Sequence, residues 1–154
     1  MQNINDVIDR HSGLSRAVLD YSVAFKRIVD GARDPGFSME SWGPLAALVD
    51  TANFVRVGNF KEVMDWAAYT GFLTQWVPNA AWECSFKRVT ESGRIVFLEM
   101  EERTQMGGVS NTVNSLSVYE FTDDGKIRHL DIYLQMPMPD LAMLQGYGGV
   151  DISG

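Results

Sequence analysis

The amino-acid sequence predicts an α+β fold, with helices first and a curved, mostly antiparallel sheet packed against them. Three observations predict it. In the first third of the chain, apolar residues recur every three or four positions, the period of a helix face. From Trp82 onward they alternate with polar residues, the period of a strand with one buried face. Within that second region, Asp123-Asp124-Gly125-Lys126 is a hairpin turn signal.

The elements follow in order. Leu14, Val18, Tyr21, Phe25 and Ile28 form one stripe on a first helix that should end near Gly31. Asp34-Pro35-Gly36 has turn chemistry, and Ser38 or Ser41 can cap a second, short helix carrying Leu45, Leu48 and Val49. Phe54-Val55-Arg56-Val57 reads as a short strand stopped by Gly58. Asn59 followed by Glu62 fits a capping box, opening a third helix that runs to about Val77 and stops at Pro78. Trp82, Cys84 and Phe86 then mark a strand face, and Glu91-Ser92-Gly93 turns the chain into a strand from Arg94 to Gln105. Gly107-Gly108 is a break or bulge, Thr112 to Thr122 is another strand, and Ile127 to Met136 is the last.

Length and composition bound the function. A chain of 154 residues with 45% hydrophobic content can bury one sizeable core, so a single domain is expected over 1–136 with a tail at 137–154. That tail is rich in Met, Pro and Gly, and three arrangements are open to it: disorder, closure over a pocket mouth, or docking on a second subunit. A net charge of -7, with no basic run longer than Lys87-Arg88, argues against nucleic-acid binding. No apolar stretch approaches the ~20 residues that span a bilayer, and the polar opening Met1-Gln2-Asn3-Ile4-Asn5-Asp6 lacks signal-peptide form, so a cytoplasmic location is expected. Cys84 alone permits no internal disulfide, and His11 and His129 leave little for a zinc site, so no metal or cofactor is expected.

Alternation sorts the polar residues of the strands. On the last strand, Leu130, Ile132, Leu134 and Met136 share the core face, while His129, Asp131, Tyr133 and Gln135 face the other way, toward solvent or a partner subunit. On the strand from Arg94, Val96, Leu98 and Met100 share a face that continues to Glu102 and Thr104. Glu102 is thus a carboxylate on an apolar stripe, and a carboxyl group in a low-dielectric pocket is a candidate general acid or base. The alternative is that the strand has left the core there, leaving Glu102 a solvated member of Glu99-Met100-Glu101-Glu102-Arg103. Arg56 poses the same question: if it points inward it needs a partner, for which Glu102 is the nominee, and otherwise it sits exposed on a short edge strand. Tyr21 lies mid-stripe, where its hydroxyl needs a partner: a ligand oxygen, backbone or water. Trp42, Trp66, Tyr69, Phe72, Trp76, Trp82 and Tyr119 are more aromatic surface than a small core requires, so some of them can line an apolar cavity.

From about Leu14 to Gln135 the chain resembles the NTF2-like, or SnoaL-like, superfamily of small cone-shaped domains, on the order helix, short strand, helix, then meandering sheet. Similarity to ketosteroid isomerases places their oxyanion-hole tyrosine at Tyr21 within Ala17-Val18-Leu19-Asp20-Tyr21, their general-base aspartate near Val55 or Arg56, and their second aspartate near Ser117. Similarity to limonene epoxide hydrolases puts Phe54, Arg56 and Ile132 at the water-holding places, Met100 at the arginine and Glu102 at the second aspartate. Only Tyr21 and Glu102 keep the chemistry of either set, so neither mechanism transfers whole.

Two functions are therefore expected as alternatives. The first is an acid/base enzyme of isomerase, dehydratase, cyclase or epoxide-hydrolase type acting on a small apolar oxygenated compound. Glu102, Tyr21 and Arg56 would be its catalytic residues; Phe54, Trp66, Tyr69, Met100, Ser117, Tyr119, Leu130 and Ile132 would bind substrate. The second is a non-catalytic ligand-binding or dimerisation module in which Arg56 and Glu102 form a structural pair. Under either, the resemblance implies a homodimer through the sheet, with Leu116, Val118 and Tyr133 in the contact.

Overall fold

The computed structural model describes residues 1–138 and Gly149. Among these residues lie four α-helices, α1 (Ile4–Val7), α2 (Gly13–Asp30), α3 (Gly43–Ala46) and α4 (Trp66–Trp76), and six strands. The strands are β1 (Val55–Val57), β2 (Val63–Met64), β3 (Ala80–Ser92), β4 (Ile95–Met106), β5 (Val109–Phe121) and β6 (Ile127–Gln135). They form one open mixed sheet in the order β2-β1-β6-β5-β4-β3, in which β1 and β6 run parallel and every other neighbouring pair is antiparallel. The α+β class stands. No helix among the described residues is long and apolar enough to cross a membrane.

The apolar stripe builds α2, which buries Val18, Leu19 and Tyr21 and closes with the Gly31 N–H donating to the Arg27 carbonyl. Its N-terminus is capped from a distance. Ser12 makes no side-chain cap, and instead the Glu91 carboxylate at the end of β3 accepts from the Ser15 N–H and hydroxyl at 2.9 and 2.8 Å. A carboxylate there satisfies an otherwise orphan N–H and complements the positive end of the helix.

The structure departs from the sequence reading in four places. The chain opens with α1 and a 3-10 turn at Ile8–Arg10, which were not expected. The second helix is shorter than expected: Ser38 and Ser41 form a reciprocal capping box on a 3-10 turn, Met39–Trp42, that leads into α3, and Val49 lies beyond it in a parallel bridge to Ile127. Asn59 and Glu62 do not cap a helix. The segment instead makes a tight turn with Lys61 at φ 61°, β2 follows, and α4 starts at Trp66 with Asp65 accepting from the Ala68 N–H at 2.8 Å. Gly107-Gly108 is the two-residue turn of a long hairpin, with Met106 opposite Val109 and φ values of 58° and 81° that favour glycine. The hairpin expected at Asp123-Asp124-Gly125-Lys126 is present, closed by the Thr122 N–H donating to the Lys126 carbonyl. The arrangements considered for the tail lie outside the described residues, which in that stretch are Pro137, Met138 and Gly149.

One face of the sheet holds the core. Val96, Leu98, Met100, Tyr119, Phe121, Ile127 and Leu130 meet Val18, Leu19, Tyr21, Trp42, Leu45, Tyr69 and Leu73 from the helical layer. The other face carries His129, Asp131, Tyr133, Leu116 and Val118, which are half-buried or exposed.

Candidate active site

Between α2, α4 and the inner face of the sheet is a cavity of about 340 Å³, within the size range of small-molecule sites. Its helical wall is Tyr21, Ser22 and Phe25 of α2 with Tyr69, Phe72, Leu73 and Trp76 of α4. Its floor is the inward register of the strands: Arg56 on β1, Trp82 on β3, Met100, Glu102 and Thr104 on β4, Ser117 and Tyr119 on β5, and Leu130, Ile132 and Leu134 on β6. The register makes this surface continuous, since Arg56 pairs with Leu130, Leu130 with Tyr119, and Ser117 with both Ile132 and Leu98. A small side chain helps to make the space: Ser117, which lines the cavity, is buried opposite Leu98 of β4.

Some polar groups of this aromatic chamber are held by neighbours and others have no partner among the described residues. Trp82 Nε1 donates to Glu102 Oε2 at 2.8 Å, leaving Oε1 without a donor among the described residues. Trp82 is itself fixed edge-on by Phe25, at 5.1 Å between centroids and 89°. Tyr21 is buried, packs edge-on against Tyr119 at 5.7 Å, and its hydroxyl has no hydrogen-bond partner among the described residues. Burial of the phenol raises it well above its ordinary range, Tyr69 and Tyr119 add to that, and Arg56 opposes it. Tyr69 acts on Tyr21 electrostatically, although no bond of acceptable geometry joins the two phenols. Burial likewise raises Tyr69 and Tyr119 above their ordinary values. All three phenols stay protonated across the physiological range and can donate.

Arg56 does not pair with Glu102. Its guanidinium lies over the Tyr69 ring, with Cζ 4.8 Å from the centroid, and Nη1 meets Glu62 Oε1 at 3.6 Å. That is an ion pair but too long for a hydrogen bond. Nε is buried and unpartnered. Glu62 reaches this position by folding back over Gly58, where a Cβ would stand 1.6 Å from Oε1, while its Oε2 accepts from the Phe60 N–H at 2.9 Å. The missing side chain of Gly58 therefore permits the Arg56–Glu62 contact.

The cavity thus collects Tyr21, Arg56 and Glu102 together with Tyr69, Met100, Ser117, Tyr119, Leu130 and Ile132. Two nominated residues fall outside its lining. Phe54 packs against Trp66 at 5.3 Å and against Tyr69 at 6.2 Å, forming an aromatic cluster behind the Tyr69 wall. Helix and strand periodicity puts Phe54 and Trp66 on inward faces, but inward is not the same as cavity-facing. Ser22, Phe25, Leu73, Thr104 and Leu134 line the cavity without having been nominated; Ser22 adjoins Tyr21 in the chain, and each of the others sits one helical turn or two strand positions from a nominated residue.

Other titratable groups lie elsewhere. His129 Nε2 meets Asp131 Oδ1 at 2.9 Å on the outer face of the sheet, away from the cavity. Burial pushes the Cys84 thiol up to about 11, with Glu102 adding, which disfavours the nucleophilic thiolate. Among the described residues no three His, Cys, Asp or Glu side chains are grouped to hold a metal ion.

No family model matches the sequence, and no curated protein matches it. Solved structures do match. An NTF2-like protein of unknown function from Burkholderia pseudomallei K96243 is 13% identical with a TM-score of 0.61, over 81% of this chain and 92% of that one. An LEH-like epoxide hydrolase of Mycobacterium tuberculosis is 15% identical with a TM-score of 0.56, over 75% and 83%. A structure named as a SnoaL-like polyketide cyclase, from Jannaschia sp. CCS1, is 12% identical with a TM-score of 0.55, over 86% and 93%. Identities this low speak for architecture alone, and the architecture that this chain's helices and six-stranded sheet share with these structures is the NTF2-like fold.

Proposed function

We propose that this protein is an acid/base enzyme acting on a small, apolar, oxygenated organic compound held in the aromatic cavity. The observation that carries this reading is Glu102, the one carboxylate among the described lining residues, fixed through a single oxygen by Trp82. A carboxylate oriented by one donor and open on its other oxygen can take a proton from a bound substrate or water and return it. Tyr21 supplies a protonated, preorganised donor for oxygen on which charge develops, and Arg56 orients the ligand and offsets that charge.

The non-catalytic alternative pairs Arg56 with Glu102, and the structure gives Arg56 a different partner in Glu62. Assembly as a homodimer through the outer face of the sheet, using Leu116, Val118 and Tyr133, accompanies either reading; Tyr133 is 56% exposed in the isolated chain.

The test is Glu102→Gln, assayed on the compound that the freshly purified wild type releases on denaturation. The expected result is turnover lowered by a factor of about 10² or more, with circular dichroism and thermal midpoint unchanged. Undiminished turnover in the variant, or return of the compound unaltered by the wild type, overturns the reading.

A further inference from the structure

We infer that the cavity selects organic acids, compounds with an apolar body and one carboxylate that docks on Arg56 with the Tyr21 hydroxyl as second donor. The inference deepens the reading of this cavity as the ligand site and rests on it. Its basis is a mismatch of charge and hydrogen bonding. The Arg56 side chain is only 15% exposed, yet its single ionic partner among the described residues stands at 3.6 Å, and that Glu62 side chain is itself 38% exposed. Nε is enclosed without any acceptor among the described residues. A buried guanidinium is stable when its donors are matched by an anion in hydrogen-bond contact, and the lack of that match is costly. Glu62 is a weak stand-in for such an anion.

Tyr21 has the complementary defect. Its hydroxyl is enclosed on the same cavity wall and makes no hydrogen bond to the described residues. Two unsatisfied donors beside one chamber match an oxygen-rich, acceptor-only group, and a carboxylate has four acceptor positions on two oxygens. Tyr69, under the guanidinium, fixes the plane in which Arg56 can present its donors. Phe25, Trp76 and Met100 suit a flat hydrocarbon body, while Glu102, the lining's own carboxylate, is held through one oxygen by Trp82. A neutral ketone or epoxide would satisfy Tyr21 but leave Arg56 as it is.

The experiment titrates the full-length protein with 2-naphthoate and with its neutral isostere 2-naphthamide, by calorimetry near neutral pH. Wild type is expected to bind the acid at least about tenfold tighter than the amide. Arg56→Gln should abolish that preference while binding the amide within about twofold of wild type, which also reports that the variant has folded with its cavity intact. Glu62→Gln, which removes the weak stand-in, should tighten the acid and leave the amide unchanged. Equal affinities in wild type, a preference that survives in Arg56→Gln, or failure of both probes to bind each overturns the inference. The two readings fail separately. Loss of the acid preference with turnover still dependent on Glu102 removes the organic-acid assignment alone; an Arg56-dependent preference with turnover independent of Glu102 removes the acid/base assignment alone.

Discussion

At the scale of residues, the cavity is defined by groups that the fold leaves unsatisfied. Tyr21 illustrates what this means for stability. A buried hydroxyl without a partner costs about 1–3 kcal/mol relative to one that is bonded. Tyr21→Phe should therefore leave the ligand-free protein as stable as wild type, or up to about 1 kcal/mol more stable, while weakening 2-naphthoate binding. Urea unfolding with and without the probe measures both effects; a loss of stability without ligand would mean that the hydroxyl has a structural partner. The sequence made Tyr21 and Glu102 legible because period alone assigns their faces, one on the α2 stripe and the other in step with Met100 and Thr104 on β4. It did not make the partner of Arg56 legible. That contact depends on a left-handed turn at Lys61 and on the absent side chain of Gly58, both three-dimensional accidents of one short loop.

At the scale of elements, strands and the long helix were readable, whereas the start of α4 was not. Asn59 and Glu62 have the spacing of a capping box, but both side chains are engaged elsewhere: Asn59 Oδ1 accepts from the Leu134 N–H of β6 at 2.9 Å, and Glu62 turns back to its own loop and Arg56. A partner 75 residues away in sequence leaves no local trace. The same holds for Glu91, which reads as a turn residue and serves as the cap of α2. The cap assignment has a direct check. Asp65→Ala should destabilise the protein by about 1 kcal/mol and speed hydrogen exchange at the Ala68 amide, while Asn59→Ala should leave that amide protected. Faster exchange at Ala68 in Asn59→Ala would restore the capping box. The parallel pairing of β1 with β6 was likewise hidden, because three residues of strand carry no signature of their neighbour.

At the scale of the whole molecule, one sheet serves two purposes through its two faces. The inner face holds a packed core with a chamber inserted in it, and the outer face presents Leu116, Val118 and Tyr133 among charged residues. The net charge of -7 also bears on the ligand. Long-range attraction does not draw an organic acid to this surface, so selection has to occur inside, at Arg56. The chamber has room at Ser117, which stands on its floor where a bulkier side chain would complete the core. Ser117→Leu should therefore fill it, and the protein should become more stable as it loses its ligand. Native mass spectrometry of freshly purified wild type beside Ser117→Leu tests the central claim most directly. The expected result is a wild-type dimer carrying a small organic acid in stoichiometric amount, and a Ser117→Leu dimer of the same subunit mass balance carrying none. The same small molecule on both proteins, or on neither, would contradict the account.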